Sequence, residues 1–183
     1  MIGITGQIGA GKSFVGHKLR ERKIRVIDAD LAVHQLYRDH GELRSAIANE
    51  FGPESLTESG VNRNFFADLI FRDAGARLRL ENLVYPVLTS YLIKENPDFV
   101  EAALFENVPE LVEHLSEIWV VMASPEVRLQ RLTKNRNMNE ADALRRMELQ
   151  KDKDSEEAWR KLFPNKPLRF IDNSSVDILP NLF

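Results

Sequence analysis

Residues 6–13 read GQIGAGKS, and the run around them, MIGITGQIGAGKSFVGHKL over residues 1–19, decides the fold. The octet satisfies G-x-x-x-x-G-K-[ST], with Gly6, Gly11, Lys12 and Ser13 at the fixed positions. Glycines let a backbone curl close enough to a polyphosphate for successive N–H groups to face it, and a helix starting beyond the lysine adds its partial positive end. Gly9, Ala10, Gly11, Lys12, Ser13 and Phe14 are therefore expected to surround a nucleoside triphosphate. Lys12 would reach the β- and γ-phosphates, and the Ser13 hydroxyl would ligate magnesium. The pattern needs a strand before it and a helix after it. The sequence predicts both, a strand at Ile2 to Thr5 and a helix over Ser13 to Arg22 with Phe14, Val15 and Leu19 on one side.

Working outward, four more short apolar runs read as strands: Arg25 to Asp28, Ala103 to Asn107, Ile118 to Met122 and Arg169 to Asp172. Helical stretches separate them. Ser124 and Pro125 form an N-cap and first-turn pair that starts a helix directly after the fourth strand. This alternation implies an α/β fold, a three-layer parallel five-stranded sheet. Residues 31–97 interrupt it as a helical insertion with no convincing strand. Within the insertion Leu80, Val84, Val87, Leu88 and Tyr91 form a burial stripe, and Pro86 is expected to kink or divide its helix. The stretches FGPES (51–55) and ESGVN (58–62) read as turns between the inserted helices. The run QKDKDSEEAWRK (150–161) reads as an exposed helix with Trp159 turned inward.

The chain has 183 residues, 43% hydrophobic and 29% charged, which suits one folded domain over 1–183 carrying a sizeable insertion. No apolar run is long enough for a bilayer span, and Met1 to Thr5 lead straight into glycines, so neither a membrane segment nor a secretory leader is expected. With no cysteine, disulfides, cysteine zinc sites and thiol catalysis are excluded. A cytoplasmic location fits. The formal net charge of −3 argues against a general nucleic-acid binder, so phosphate must be gripped locally.

A phosphate loop leaves switch, motor and kinase open. TKNR and NKPL lack the aspartate of a guanine-recognition motif, which weakens the switch. A small-molecule kinase needs a group to orient or deprotonate the acceptor hydroxyl, and cations to neutralise the moving phosphoryl. VIDAD (26–30) ends a predicted strand in two acids, at the strand end where α/β proteins place ligands. Asp30 reads either as that group or as the N-cap of the helix LAVHQLY. Arg128 and Arg131 lie one helical turn apart, and Arg136 follows in a stretch suited to a lid, here residues 128–148. A solvated helix face is the plain alternative for all three.

With these residues in view, the chain resembles the dephospho-CoA kinase family of P-loop kinases of the nucleoside monophosphate kinase type. ITGQIGAGKS (4–13), VIDAD (26–30), NEFG (49–52), VNRNFFADLIF (61–71), VPELVE (108–113) and FIDNS (170–174) fall in the family's order and spacing. The resemblance implies ATP-dependent phosphorylation of the ribose 3′-hydroxyl of dephospho-CoA, the last step of CoA biosynthesis, with ATP as co-substrate and Mg2+ as cofactor. It implies that Asp30 is the base, that Lys12, Arg131 and Arg136 assist transfer, and that Asp172 and Asn173 lie near the adenine end of ATP. It further implies contacts to dephospho-CoA from Asp30, Arg63, Tyr85, Pro86, Val108 and Pro109. The chain departs from the pattern at Phe14, where many members have threonine, at Tyr85, where histidine is usual, and at Glu110, where leucine is usual. It also ends soon after the last strand, where many members carry a closing helix. The alternatives are a kinase of another small molecule or nucleoside monophosphate, and a nucleotide-binding sensor without transfer activity. The oligomeric state is not legible in the sequence.

Overall fold

The computed structural model describes residues 1–175. In chain order it runs β1 (Ile2–Thr5), α1 (Lys12–Glu21), β2 (Val26–Asp28), α2 (Ala29–Asp39), α3 (Gly41–Phe51), β3 (Leu56–Thr57), β4 (Gly60–Val61), α4 (Arg63–Arg72) and α5 (Ala74–Glu95). Then follow β5 (Phe99–Glu101), α6 (Pro109–Glu113), β6 (Glu117–Met122), α7 (Pro125–Gln130), α8 (Glu140–Glu148), α9 (Glu156–Leu162) and β7 (Leu168–Asp172). Two compact units result, one from Met1–Val26 with the chain from Pro97 onward, the other from Ile27–Asn96.

The five-stranded parallel sheet has the order β2, β5, β1, β6, β7. Its register sets Ile4 beside both Glu101 and Trp119, and Val120 beside Phe170. Strands buried on both faces need apolar residues at nearly every position, which is why β6 reads EIWVVM without alternation. In the first unit Ile4, Val15, Leu19, Phe99, Trp119, Val121 and Ile171 form one core. Phe99 meets Trp119 edge to face at 4.8 Å. Each such aliphatic side chain removed from water contributes about 1.5–3 kcal/mol. As expected, Ser124 caps α7 by accepting from the Val127 N–H at 3.4 Å, and Trp159 of α9 is buried, stacked on Phe163.

The third strand differs from expectation. It is Phe99–Glu101, whereas Phe105–Asn107 form a 3-10 turn and VPELVE starts α6, with Val108 as its N-cap and Pro109 in its first turn. Proline has no N–H to give a ladder and suits a helix start, so the apolar run around Val108 cannot continue a strand. The burial of Phe105, which made its segment look strand-like, comes from a turn packed on the core.

In the second unit α5 packs against α2, α3 and α4. Its buried stripe is Ala76, Leu80, Val84, Leu88 and Leu92, while Val87 and Tyr91 are half-buried. Pro86 does not divide the helix, which runs 22 residues through it. Packing along that stripe outweighs the single hydrogen bond that proline removes. The insertion is also not helical throughout, because β3 and β4 pair antiparallel, Leu56 with Val61 and Thr57 with Gly60. Two-residue strands are too short to show an alternating pattern. No described helix is long and apolar enough to cross a membrane. The end of the chain, where a closing helix is expected to be missing, lies outside the described residues.

Candidate active site

In the first unit the phosphate loop joins β1 to α1 and is built by close approach. Gly11 has φ +97°, and a Cβ there would sit 2.1 Å from the Asn173 side-chain nitrogen. Gly9 has φ +80°, with the Arg128 carbonyl oxygen 2.9 Å from where its Cβ would be. Both positions demand glycine for conformation and for space. Gly11→Ala should displace the loop, weakening ATP binding by about tenfold or more and costing roughly 1–3 kcal/mol of stability. Calorimetric titration with ATP and thermal melting check this, and wild-type affinity would refute it.

Lys12 and Ser13 open α1 and converge on one buried acid. Lys12 Nζ lies 3.1 Å from Glu101 Oε1, and Ser13 Oγ donates to the same oxygen at 2.5 Å. Glu101 is 1% exposed, and its Oε2 has no hydrogen-bond partner among the described residues, with Arg20 Nη2 at 3.8 Å. A hydroxyl beside an incompletely satisfied buried carboxylate is a hard oxygen set of the kind that suits magnesium. Among the described residues no group of three or more His, Asp or Glu is placed to hold a metal ion.

Arg131 closes the far side of the loop. Its guanidinium donates to the Ala10 carbonyl at 3.1 Å and the Asn173 carbonyl at 2.7 Å. Asn173 is itself buried and donates through Nδ2 to the Ala10 oxygen at 2.7 Å. These two side chains therefore hold the loop's shape from outside. A cavity of about 350 Å³ opens here, with Gly9, Gly11, Ser13 and Phe14 on one wall and Arg131, Asn135, Arg136, Asn173 and Ser175 on the other. Arg136 is exposed and makes no hydrogen bond among the described residues, so its charge is available. Phe14 presents an exposed ring, with Lys18 Nζ 5.7 Å from its centroid. Asp172 is not on the cavity wall; its carboxylate accepts from the Ser174 N–H and hydroxyl at 2.9 and 2.6 Å. Arg128 is also not a cavity cation, since it is buried beneath the loop.

In the second unit β2 ends at Asp28, and Asp28, not Asp30, caps α2 by accepting from the Leu31 N–H at 3.1 Å. The cap takes the residue with extended backbone, which the strand end supplies. Asp30, two residues later, is exposed and unbonded among the described residues. It lines a cavity of about 510 Å³ with His34, Tyr37, Arg77, Glu81 and Tyr85. Arg77 pairs with Glu81 at 2.8 Å and hydrogen-bonds Tyr85. Burial pushes the Tyr37 phenol up to about 12 against the opposing charge of Arg63, so it is a neutral donor at ordinary pH. Arg63 is exposed at the start of α4. Pro86 on α5 and Pro109 are exposed and Val108 is buried, and none of the three lines the two cavities above.

A family model described as dephospho-CoA kinase matches residues 1–165. The chain belongs to the dephospho-CoA kinase family. A Listeria monocytogenes protein named dephospho-CoA kinase is 34% identical over 158 residues, covering 81% of this chain and 79% of that one. A crystal structure from Thermus thermophilus superposes with a TM-score of 0.70 at 25% identity, covering 96% of this chain and 88% of that one. A Campylobacter jejuni dephospho-CoA kinase shares the fold at a TM-score of 0.59 and 21% identity, over 95% and 88% of the two chains. Sequence reasoning missed Glu101, the buried acid on which Lys12 and Ser13 converge. A strand in VEAALFE was the signal, but the strand was read from Ala103, two residues beyond the acid on which it ends.

Proposed function

We propose that this enzyme transfers the γ-phosphoryl group of ATP to the ribose 3′-hydroxyl of dephospho-CoA, giving CoA and ADP. The observation that carries the reading, beside family membership, is the convergence of Lys12 and Ser13 on buried Glu101 at the mouth of a glycine loop. The loop's N–H groups and Lys12 hold the β- and γ-phosphates, and Arg136 meets charge that develops on the transferring group. Ser13 and Glu101 would hold magnesium, which when bound screens the phosphate charge. Asp30 accepts the 3′-hydroxyl proton or orients that hydroxyl. Support for this role is its free carboxylate and its cavity, whose walls offer a neutral phenol and paired charges to a polar acceptor. Arg63 attracts the phosphate groups of dephospho-CoA, and Tyr85 contributes a hydroxyl where an imidazole is usual in the family. Asn173 supports the ATP pocket through Ala10, and Phe14 offers the nucleotide an apolar face in place of a threonine hydroxyl. A water-soluble substrate fits a cytoplasmic location.

The test is formation of CoA by the purified protein with ATP, magnesium and dephospho-CoA. Arg63→Ala should raise KM for dephospho-CoA by about tenfold, the size of one lost hydrogen bond to a charged group, and leave KM for ATP unchanged. No CoA formation, with turnover of another alcohol, would overturn the acceptor assignment. An equal rise in both KM values would remove Arg63 from the acceptor site.

A further inference from the structure

Arg128 is 2% exposed, yet it carries a full charge directly beneath the phosphate loop. Its Nε donates to the Ile8 carbonyl at 3.0 Å, and its Nη1 to Gln7 Oε1 at 2.7 Å and Asp154 Oδ1 at 3.1 Å. Gln7, itself buried, donates from its amide to Asp154 Oδ1 at 2.5 Å and to the Gln150 carbonyl at 2.8 Å. The Gln150 side chain then accepts from the Ile8 N–H at 2.7 Å. Both polar groups of the Ile8 backbone are thus held by side chains more than a hundred residues away, Arg128 on α7 and Gln150 just past α8. By contrast, the N–H groups of Gly9, Gly11, Lys12 and Ser13 make no hydrogen bond among the described residues.

This division has a physical consequence. A loop whose following residues are glycine, alanine and glycine has little stiffness of its own, so the orientation of the Ile8 peptide sets where the next N–H groups point. Preorganised donors act on a polyphosphate without paying to reorganise, and loss of that order appears as weaker binding. We propose that Gln150 and Asp154, acting through Gln7, Arg128 and the Ile8 peptide, are positioning residues that hold the phosphate loop in its ATP-binding shape. Arg128 opens the 128–148 segment and Gln150 follows its end, so the loop is tied to both sides of the segment that carries Arg131 and Arg136. The inference rests on the reading of the loop as the ATP site and is independent of the acceptor.

Gln150 is half-buried and the Asp154 side chain is 48% exposed, so Gln150→Ala and Asp154→Asn should fold. Magnesium-ATP is titrated calorimetrically into wild type, each variant and the double variant, with KM for ATP and for dephospho-CoA measured alongside melting temperature. Each single change should weaken ATP binding by about tenfold and raise KM for ATP equally, leaving KM for dephospho-CoA unmoved. The double variant should lose less than the product of the two, because both act on one peptide. Asp154→Glu, which keeps the carboxylate, should recover most of the affinity. ATP affinity within twofold of wild type in the double variant, or a parallel rise in both KM values, overturns the proposal. If wild type binds ATP but makes no CoA, the acceptor assignment fails while the ATP titrations still decide this inference.

Discussion

Lys12→Ala should reduce turnover by on the order of 10³-fold while the protein stays folded. A single preorganised donor to developing charge contributes about 10²–10³ in rate, and Lys12 adds a full charge to that donor role. Its ammonium sits 3.1 Å from a carboxylate that is almost wholly buried, at the N-terminus of α1 where anions are already favoured. On the proposed mechanism the pair has two functions, and the variant separates them. In the free protein, removing the ammonium leaves Glu101 with the Ser13 hydroxyl and Arg20 at 3.8 Å, so part of the 3–5 kcal/mol cost of an unpaired buried charge should appear in melting. In catalysis the loss falls on the transition state, so kcat should drop far more than ATP affinity. Lys12→Arg is informative as well, because a planar fork cannot replace a compact ammonium in a cradle this tight. Single-turnover measurement with saturating ATP gives the rate directly. A chemical step within tenfold of wild type would show that Lys12 serves the Glu101 pair alone.

What the sequence could disclose followed from how local each signal is. The phosphate loop, the helix after it and the Ser124 and Pro125 start of α7 depend on neighbours within a few residues, and the structure agrees at each. Glu101 depends on something else. It reaches Lys12 and Ser13 because the parallel register sets Ile4 opposite Glu101, which no pattern within VEAALFE records. Arg128 has the spacing of a surface cation and is buried, because Asp154 pairs with its charge and Gln7 accepts a hydrogen bond from it. In VIDAD the pattern left Asp30 open as either cap or base. The point at which β2 stops being extended removed the cap from Asp30 and gave it to Asp28.

That assignment makes the second large effect specific. Asp30→Asn should lower kcat by about 10²–10⁴, the usual contribution of a positioned proton acceptor, and leave ATP affinity unchanged. Asparagine keeps the size of the side chain and can still hydrogen-bond a hydroxyl, so orientation survives while proton acceptance is lost. Because Asp28 holds the α2 cap and Asp30 is exposed without a hydrogen bond among the described residues, the variant should melt within about 0.5 kcal/mol of wild type. Asp28→Asn is the matched comparison: asparagine caps nearly as well as aspartate, so this neighbour should retain turnover within a fewfold. Steady-state kinetics on both, with ATP titrations, separates the two acids. Loss of activity in Asp28→Asn with retention in Asp30→Asn would exchange their roles. A drop of only tenfold in Asp30→Asn would mean that the carboxylate orients the hydroxyl, with the proton leaving after the phosphoryl group has moved, as a loose transition state permits.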